Sequence, residues 1–239
     1  NEYSLLPDFF NHYRDLGVEQ FIYIDNNSND ESIPFLKKQL DVVLYSTKND
    51  FGEARSGTNW VEYLRNLWCL NSWALYVDPD ELLVIPNMKK NNLNILCEYM
   101  DSNNYECLHT FMLDLFKPID YIYTNELNSP EELKELTDKY FYNEYVFTEY
   151  LCTPYWEVRG GFRRKLYNEN STLNKNSIFK NKESIRLGSS THYLSSLRPA
   201  DLNGLLLHKK LLKDESVFQE RSLNKDFKLP KNCTIRETK

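Results

Sequence analysis

Three short apolar runs, residues 20–24, 42–45 and 73–77, alternate with stretches of helical spacing, and this alternation limits the fold more than any other feature of the chain. Strand, helix, strand, helix, strand at these lengths predicts right-handed crossovers and a mostly parallel central sheet flanked by helices. A helical pattern also stands ahead of the first run: Leu5, Leu6, Phe9, Phe10, Tyr13 and Leu16 share one face, and Gly17 is placed to end the helix. An α/β sheet normally feeds its first helix from a strand, so the expectation is an α/β fold whose first strand is missing from this sequence. The second helix, with Pro34 near its start, should turn Ile33, Leu36 and Leu40 to the core; the third, within residues 53–71, should use Trp60, Tyr63, Leu64, Leu67 and Trp68.

Beyond residue 90 the pattern predicts a helix over 93–99, a strand over 106–113, and then a polar, aromatic stretch over 117–156. That stretch includes a charged helical segment at 131–136 and a crowd of rings, among them Tyr140, Phe141, Tyr142 and Tyr155, suited either to packing or to a platform for sugars. A chain of 239 residues supports one sizeable core, so residues 1–239 read as a single domain: a nucleotide-binding half, 1–113, and an acceptor-side and C-terminal half, 114–239.

Net charge of −6 argues against a nucleic-acid partner, because no broad basic footprint exists. The five cysteines, Cys69, Cys97, Cys107, Cys152 and Cys233, are widely spaced without a C-x-x-C pair, which disfavours a disulfide framework or structural zinc site and fits a reducing cytoplasm. No stretch approaches the roughly twenty apolar residues of a membrane span, which leaves room only for peripheral membrane association.

Asp78-Pro79-Asp80 lies where the third apolar run stops and another, residues 82–85, begins. Pro79 fixes its own φ, so the two carboxylates project from a stiff bend. Hard cations such as Mg²⁺ or Mn²⁺ accept one or two such carboxylates together with phosphate oxygens and water, which suits a nucleoside diphosphate. Asp25, with Asn26 beside it, ends the first run, and the carboxyl ends of parallel strands are where open α/β sheets bind ligands. Asp25 and the Asp78/Asp80 pair are therefore expected to share one crevice.

A series of segments, in order along nearly the whole chain, resembles the family-2-like glycosyltransferases of the GT-A fold. They are Asn1-Glu2 followed by Phe10-Asn11-His12-Tyr13-Arg14-Asp15-Leu16-Gly17-Val18; Ile24-Asp25-Asn26-Asn27-Ser28-Asn29-Asp30; and Trp73 to Leu83, reading W-A-L-Y-V-D-P-D-E-L-L. Then come Met112-Leu113-Asp114, Arg159-Gly160-Gly161-Phe162-Arg163-Arg164-Lys165-Leu166, Ser190-Thr191-His192-Tyr193-Leu194 and Leu206-Leu207-His208-Lys209-Lys210. The resemblance implies a GT-A-like domain, a nucleotide-sugar donor with a UDP-sugar foremost, Mn²⁺ or Mg²⁺, inversion at the anomeric carbon and a glycan or glycolipid acceptor. It also implies a strand directly ahead of Asn1 whose end helps to hold the nucleotide.

Residue roles follow as expectations. Asp80 is the leading direct metal ligand, with Asp78 reaching the metal, its water or the ribose. Asp25 and Asn26 either bond the base or ribose or serve the turn. His208 completes the metal shell as a neutral imidazole, with His192 as its competitor; His12 and His109 are structural. Asp114, just past an apolar strand, is the carboxylate placed to take the acceptor's proton, or else it caps the following turn. Arg163, after two glycines, and Arg55 are candidates for the pyrophosphate, with surface salt bridging as the alternative. A phosphohydrolase also carries two aspartates after a strand, but Glu81-Leu82 follows here where a Thr or Val is usual. The non-enzymatic alternative is a sugar-binding or degenerate transferase-like module.

Overall fold

The structure is a computed structural model, and it describes residues 1–115, 145–149, 156–161, 163–164, 170–188, 192, 194, 197–209 and 236–237. The 131–136 helix, Tyr140 to Tyr142, Tyr155 and the Phe162, Lys165, Leu166, Ser190, Thr191, Tyr193 and Lys210 positions of the quoted motifs lie outside the described residues. The chain is mixed α/β and divides into two compact units: residues 1–110 with 175–206, and residues 111–174 with 207–239.

The first unit opens with α1 (Leu6–Asp15), whose Leu6, Phe9, Phe10 and Tyr13 are buried. Fully burying side chains of this size contributes roughly 1.5–3 kcal/mol each. Gly17, at φ +96, ends the helix as its sequence position predicts: its N–H reaches Arg14 O, and Val18 N–H reaches Tyr13 O. Then follow β1 (Phe21–Asp25), α2 (Ser32–Leu36), β2 (Val42–Ser46), α3 (Thr58–Trp68), β3 (Trp73–Leu75), β4 (Glu81–Val84), α4 (Leu93–Ser102) and β5 (Cys107–Asp114). β1 and β2 pair in parallel, Phe21 opposite Val42 through Asp25 opposite Ser46.

The larger sheet has the order β3-β8-β5-β9-β4, with β8 spanning Asn174–Lys180 and β9 Pro199–His208. β3 and β8 are antiparallel, so this sheet is mixed, where the crossovers alone predict a mostly parallel one. The reason is that β8 and β9 arrive from far along the chain and insert between strands that are near in sequence. The second unit contains an antiparallel sheet, order β10-β6-β7, of β6 (Tyr145–Glu149), β7 (Trp156–Gly160) and β10 (Arg236–Glu237).

Two packing expectations fail. Leu40 is fully exposed because α2 ends at Leu36, a turn too early to carry it inward. On α3 the buried residues are Thr58, Leu64 and Arg65, whereas Tyr63, Leu67 and Trp68 are exposed. Arg65 is accommodated there by hydrogen bonds to Asn181 and to Ile185 O, 2.6 Å.

Candidate functional site

The Asp78-Pro79-Asp80 turn joins β3 to β4, and the Glu81 N–H closes it on Asp78 O at 3.0 Å. β4 is tied to α1 beneath: the Tyr13 hydroxyl donates to Glu81 O at 2.9 Å and accepts from Leu83 N–H at 3.0 Å, while His12 Nε2 meets Leu83 O at 2.8 Å. His12 is thus structural, as expected. So is His109, whose burial pushes its imidazole down to about 4 against a hydrogen bond to Asn203.

The centre of the turn is a residue that sequence reasoning passes over. Lys175, on β8 and 1% exposed, donates from Nζ to Glu81 Oε2 at 2.7 Å and to Asp78 Oδ2 at 3.2 Å, and sits 4.5 Å from the centroid of the Tyr76 ring. Glu81 Oε2 also accepts the Asp78 N–H at 2.9 Å, and the Tyr76 hydroxyl donates to Asp78 Oδ1 at 3.1 Å. Burial alone would lower the Lys175 ammonium; Asp78 and Glu81 outweigh it and hold the group above its ordinary range, so it stays charged. Burial raises Glu81, an effect that Lys175 opposes and Asp78 reinforces. Asp78 ends below the ordinary carboxylate range, because Lys175 and Tyr76 overcome the desolvation that would raise it. Its side chain is still 46% exposed, so it is the wet corner of the network, and we weight the buried Lys175–Glu81 contact more heavily.

Asp25, buried at the end of β1, accepts the Ser28 N–H at 3.1 Å, the turn-capping role, and Asn26 Nδ2 bridges to Thr47 O and Asn49 O. Tyr23 links the two strand ends. Its phenol is raised first by burial and then by the field of Asp25, Asp78, Asp30 and Asp80, so the acids after β1 and after β3 act on one side chain. His192 belongs to the same surroundings, since it lines one cavity with Tyr23, Asn26 and Asp78. Both Asp78 oxygens already accept hydrogen bonds, Oδ1 from the Tyr76 hydroxyl and Oδ2 from Lys175 Nζ. Among the described residues no group of three or more His, Cys, Asp or Glu side chains is arranged to hold a metal ion.

Arg55 adopts φ +53 and spends its guanidinium on Gly188 O, 2.6 Å, and Leu187 O, 3.3 Å, with Glu62 at 3.8 Å. Here it holds a loop.

In the second unit, three residues expected in three separate roles form one cluster. Asp114 Oδ1 contacts His208 Nδ1 at 2.6 Å, and Asp114 Oδ2 accepts from Arg163 Nε at 2.9 Å; all three are at most 7% exposed. Burial would raise the Asp114 carboxyl, but His208 and Arg163 hold it below the ordinary range. Asp114 is therefore a weak base by itself, and Asp–His contact fixes which imidazole nitrogen faces outward. Arg163 Nη2 is buried with no hydrogen-bond partner among the described residues. Free thiols are Cys69, Cys97 and Cys107 among the described residues, and no described helix is long and apolar enough to cross a membrane.

Compared with family models, with curated proteins and with solved structures, the chain finds no match in any of the three.

Proposed function

We propose that the protein is a metal-dependent, inverting glycosyltransferase of GT-A type that moves a sugar from a nucleoside-diphosphate donor, a UDP-sugar first among them, to a glycan or glycolipid acceptor. The observation that carries the reading is that Asn26 after β1 and Asp78 and Pro79 after β3 line one cavity together with Tyr23 and His192, at the ends of two strands, where Lys175 is shared by Asp78 and Glu81 and offsets only part of the negative charge. Such a surplus attracts a divalent cation, and Mn²⁺ or Mg²⁺ bound there would neutralise charge on a departing phosphate. Asp80 is the direct ligand in this reading; Asp78, held by Lys175 and Tyr76, orients water or ribose, and Asp25 with Asn26 borders the nucleoside. His192, which lines the same cavity as Asp78 and Pro79, is the imidazole of this reading.

For the acceptor's proton we assign the Asp114–His208 pair. With the proton on Nδ1 facing Asp114, the lone pair lies on Nε2, the nitrogen that would take the acceptor's proton, while Asp114 is held low by His208 and Arg163. Arg163 holds Asp114 from its other oxygen and so positions the pair.

The test is calorimetric titration of UDP with and without Mn²⁺. Binding should need the metal and weaken at least about tenfold, or 1.4 kcal/mol, in Asp80→Asn. Equal binding with and without Mn²⁺ would remove the proposal. Asp114→Ala should keep donor binding and lose release of UDP from a UDP-sugar in the presence of acceptor. A second reading, a non-catalytic sugar-binding or degenerate module, is favoured by one observation, the occupation of Asp78 by Lys175. Glycan binding indifferent to Mn²⁺ would select it.

A further inference from the structure

α3 carries apolar residues on two sides, and its packing uses one. Leu64 and Arg65 are buried, whereas Trp60, Tyr63, Leu67 and Leu70 follow one another at intervals of three, four and three residues along another side. That spacing is the seam by which one helix lies along a second. Most of the row is in solvent. Tyr63 is 65% exposed, Leu67 55% and Leu70 45%, and Phe51, 53% exposed, lies against the half-buried Trp60 with ring centroids 6.1 Å apart. At ordinary side-chain areas their uncovered surface is roughly 450 Å², the scale at which an apolar patch on a protein surface marks an interaction site. No charged side chain joins the row. α3 has two: Arg65, which is buried, and Glu62, which turns to Arg55 and Arg65, 3.8 Å from each, and accepts the Leu187 N–H at 3.0 Å. Residues 66–77 contain none, in a chain of which 27% of the residues are charged, so this face stands out as neutral.

We infer that this face of α3 is an interface between two copies of the chain, packed α3 against α3 about a twofold axis near Leu67. Charge selects a second copy. Each copy has a net charge of −6, so two copies repel where their charged surfaces meet, and a neutral face is where they can approach. The polar neighbours agree. Asn59 and Asn66, exposed beside the row, bear amides that both donate and accept, so a twofold axis can set the same groups against each other. Aromatic rings with charge excluded are the composition of an interface core. A lipid surface is disfavoured, because an interfacial helix sets Lys or Arg beside its apolar face and α3 presents none there. Area sets the strength: about 450 Å² from each copy, roughly 900 Å² together, lies at the low end of specific interfaces and gives a dissociation constant on the order of 10–100 μM. The inference rests on the surface of α3 and does not depend on the glycosyltransferase reading.

Sedimentation velocity of the 239-residue chain under reducing conditions tests it. Between about 1 and 300 μM the mass should rise from one copy to two and stop there. Leu67→Glu sets like charges against each other at the axis and should weaken association at least about 50-fold; Tyr63→Gln, which adds no charge, should weaken it about tenfold. Both positions are exposed, so the urea midpoints of these variants should stay at the native value. An equimolar mixture of Leu67→Glu and Leu67→Lys, each monomeric alone, should dimerise again, because in an isologous contact a residue near the axis faces its own copy. A chain still monomeric at about 300 μM overturns the inference. So does a dimer that Leu67→Glu leaves unchanged, a mixture that fails to restore the dimer, or assembly that continues past two copies. Monomers that sediment with phosphatidylcholine vesicles would overturn it in favour of a lipid surface, and a monomeric native chain whose urea midpoint falls in Leu67→Glu would overturn it in favour of packing within the chain.

Discussion

The two buried charge clusters invert each other's stoichiometry. In the first unit one ammonium, Lys175, serves two carboxylates, Asp78 and Glu81; in the second, one carboxylate, Asp114, is shared by a guanidinium and an imidazole. The first cluster keeps surplus negative charge at a partly wet edge, with Asp80 beside it, whereas the second closes both carboxylate oxygens on buried partners. The contrast teaches that a carboxylate near a strand end is open to further cations only where its own fold leaves it undercompensated. It also explains why Glu81 moves up and Asp114 moves down although both are buried.

The sharpest way to break the contrast is Lys175→Met. It strands Glu81 without its counter-ion, and breaking a buried pair in this way should cost about 3–5 kcal/mol in urea unfolding at pH 7. The deficit should shrink as pH falls, because a Glu81 carboxyl raised in the folded state takes up a proton before the unfolded chain's does and the unpaired charge disappears. Native Lys175 behaves oppositely: raised above 10.5, it contributes stability that is complete below that value and fades only as pH climbs through the folded one, so native stability should not fall between pH 7 and 10 on its account. A penalty under 1 kcal/mol would show that the ammonium is not the organising charge.

Asp114→Asn comes next, at about 3 kcal/mol near neutrality. Asp114 is lowered, so its contribution is present above its ordinary 3.8 and is lost as pH falls through the folded value; native and variant stabilities should converge in acid and diverge at pH 6–7. Parallel curves would mean that Asp114 is not held by Arg163 and His208. Tyr13→Phe should cost about 1–2 kcal/mol, since it leaves the Leu83 N–H without its acceptor in a buried site. Smallest is Tyr76→Phe, under about 1 kcal/mol because Asp78 is half exposed, with the Asp78 titration, followed by NMR, moving upward as one hydrogen bond is lost.

Legibility followed the strength of the local pattern. α1, β1 and β5 appear where apolar spacing and Gly17 predict them, and the acidic turn interrupts two strands as the runs on either side of Pro79 require. β8 escaped, because Asn174, Lys175, Asn176 and Ser177 contain no apolar residue to mark a strand, yet all four are buried. Their burial is stabilised by partners distant in the chain: Thr110 Oγ1 donates to Lys175 O at 2.7 Å and lies 3.0 Å from Ser177 Oγ, and Val158 N–H donates to Asn174 Oδ1. A lysine flanked by asparagines carries no local mark of a buried ion pair. Similarly, Asp114, Arg163 and His208 were each visible as candidates, but 94 residues separate Asp114 from His208, and nothing in the spacing joins them.

The sequence by itself determined the helices and strands of the first hundred residues and the stiff acidic bend, because φ restriction, glycine freedom and apolar periodicity act over a few residues. Tertiary structure alone decided which charges meet, Lys175 with Asp78 and Glu81 and Asp114 with Arg163 and His208, and it set two strand ends around one cavity. Charge pairing in a buried site depends on distance through space and on lost solvent, and neither quantity is written into the order of residues along the chain.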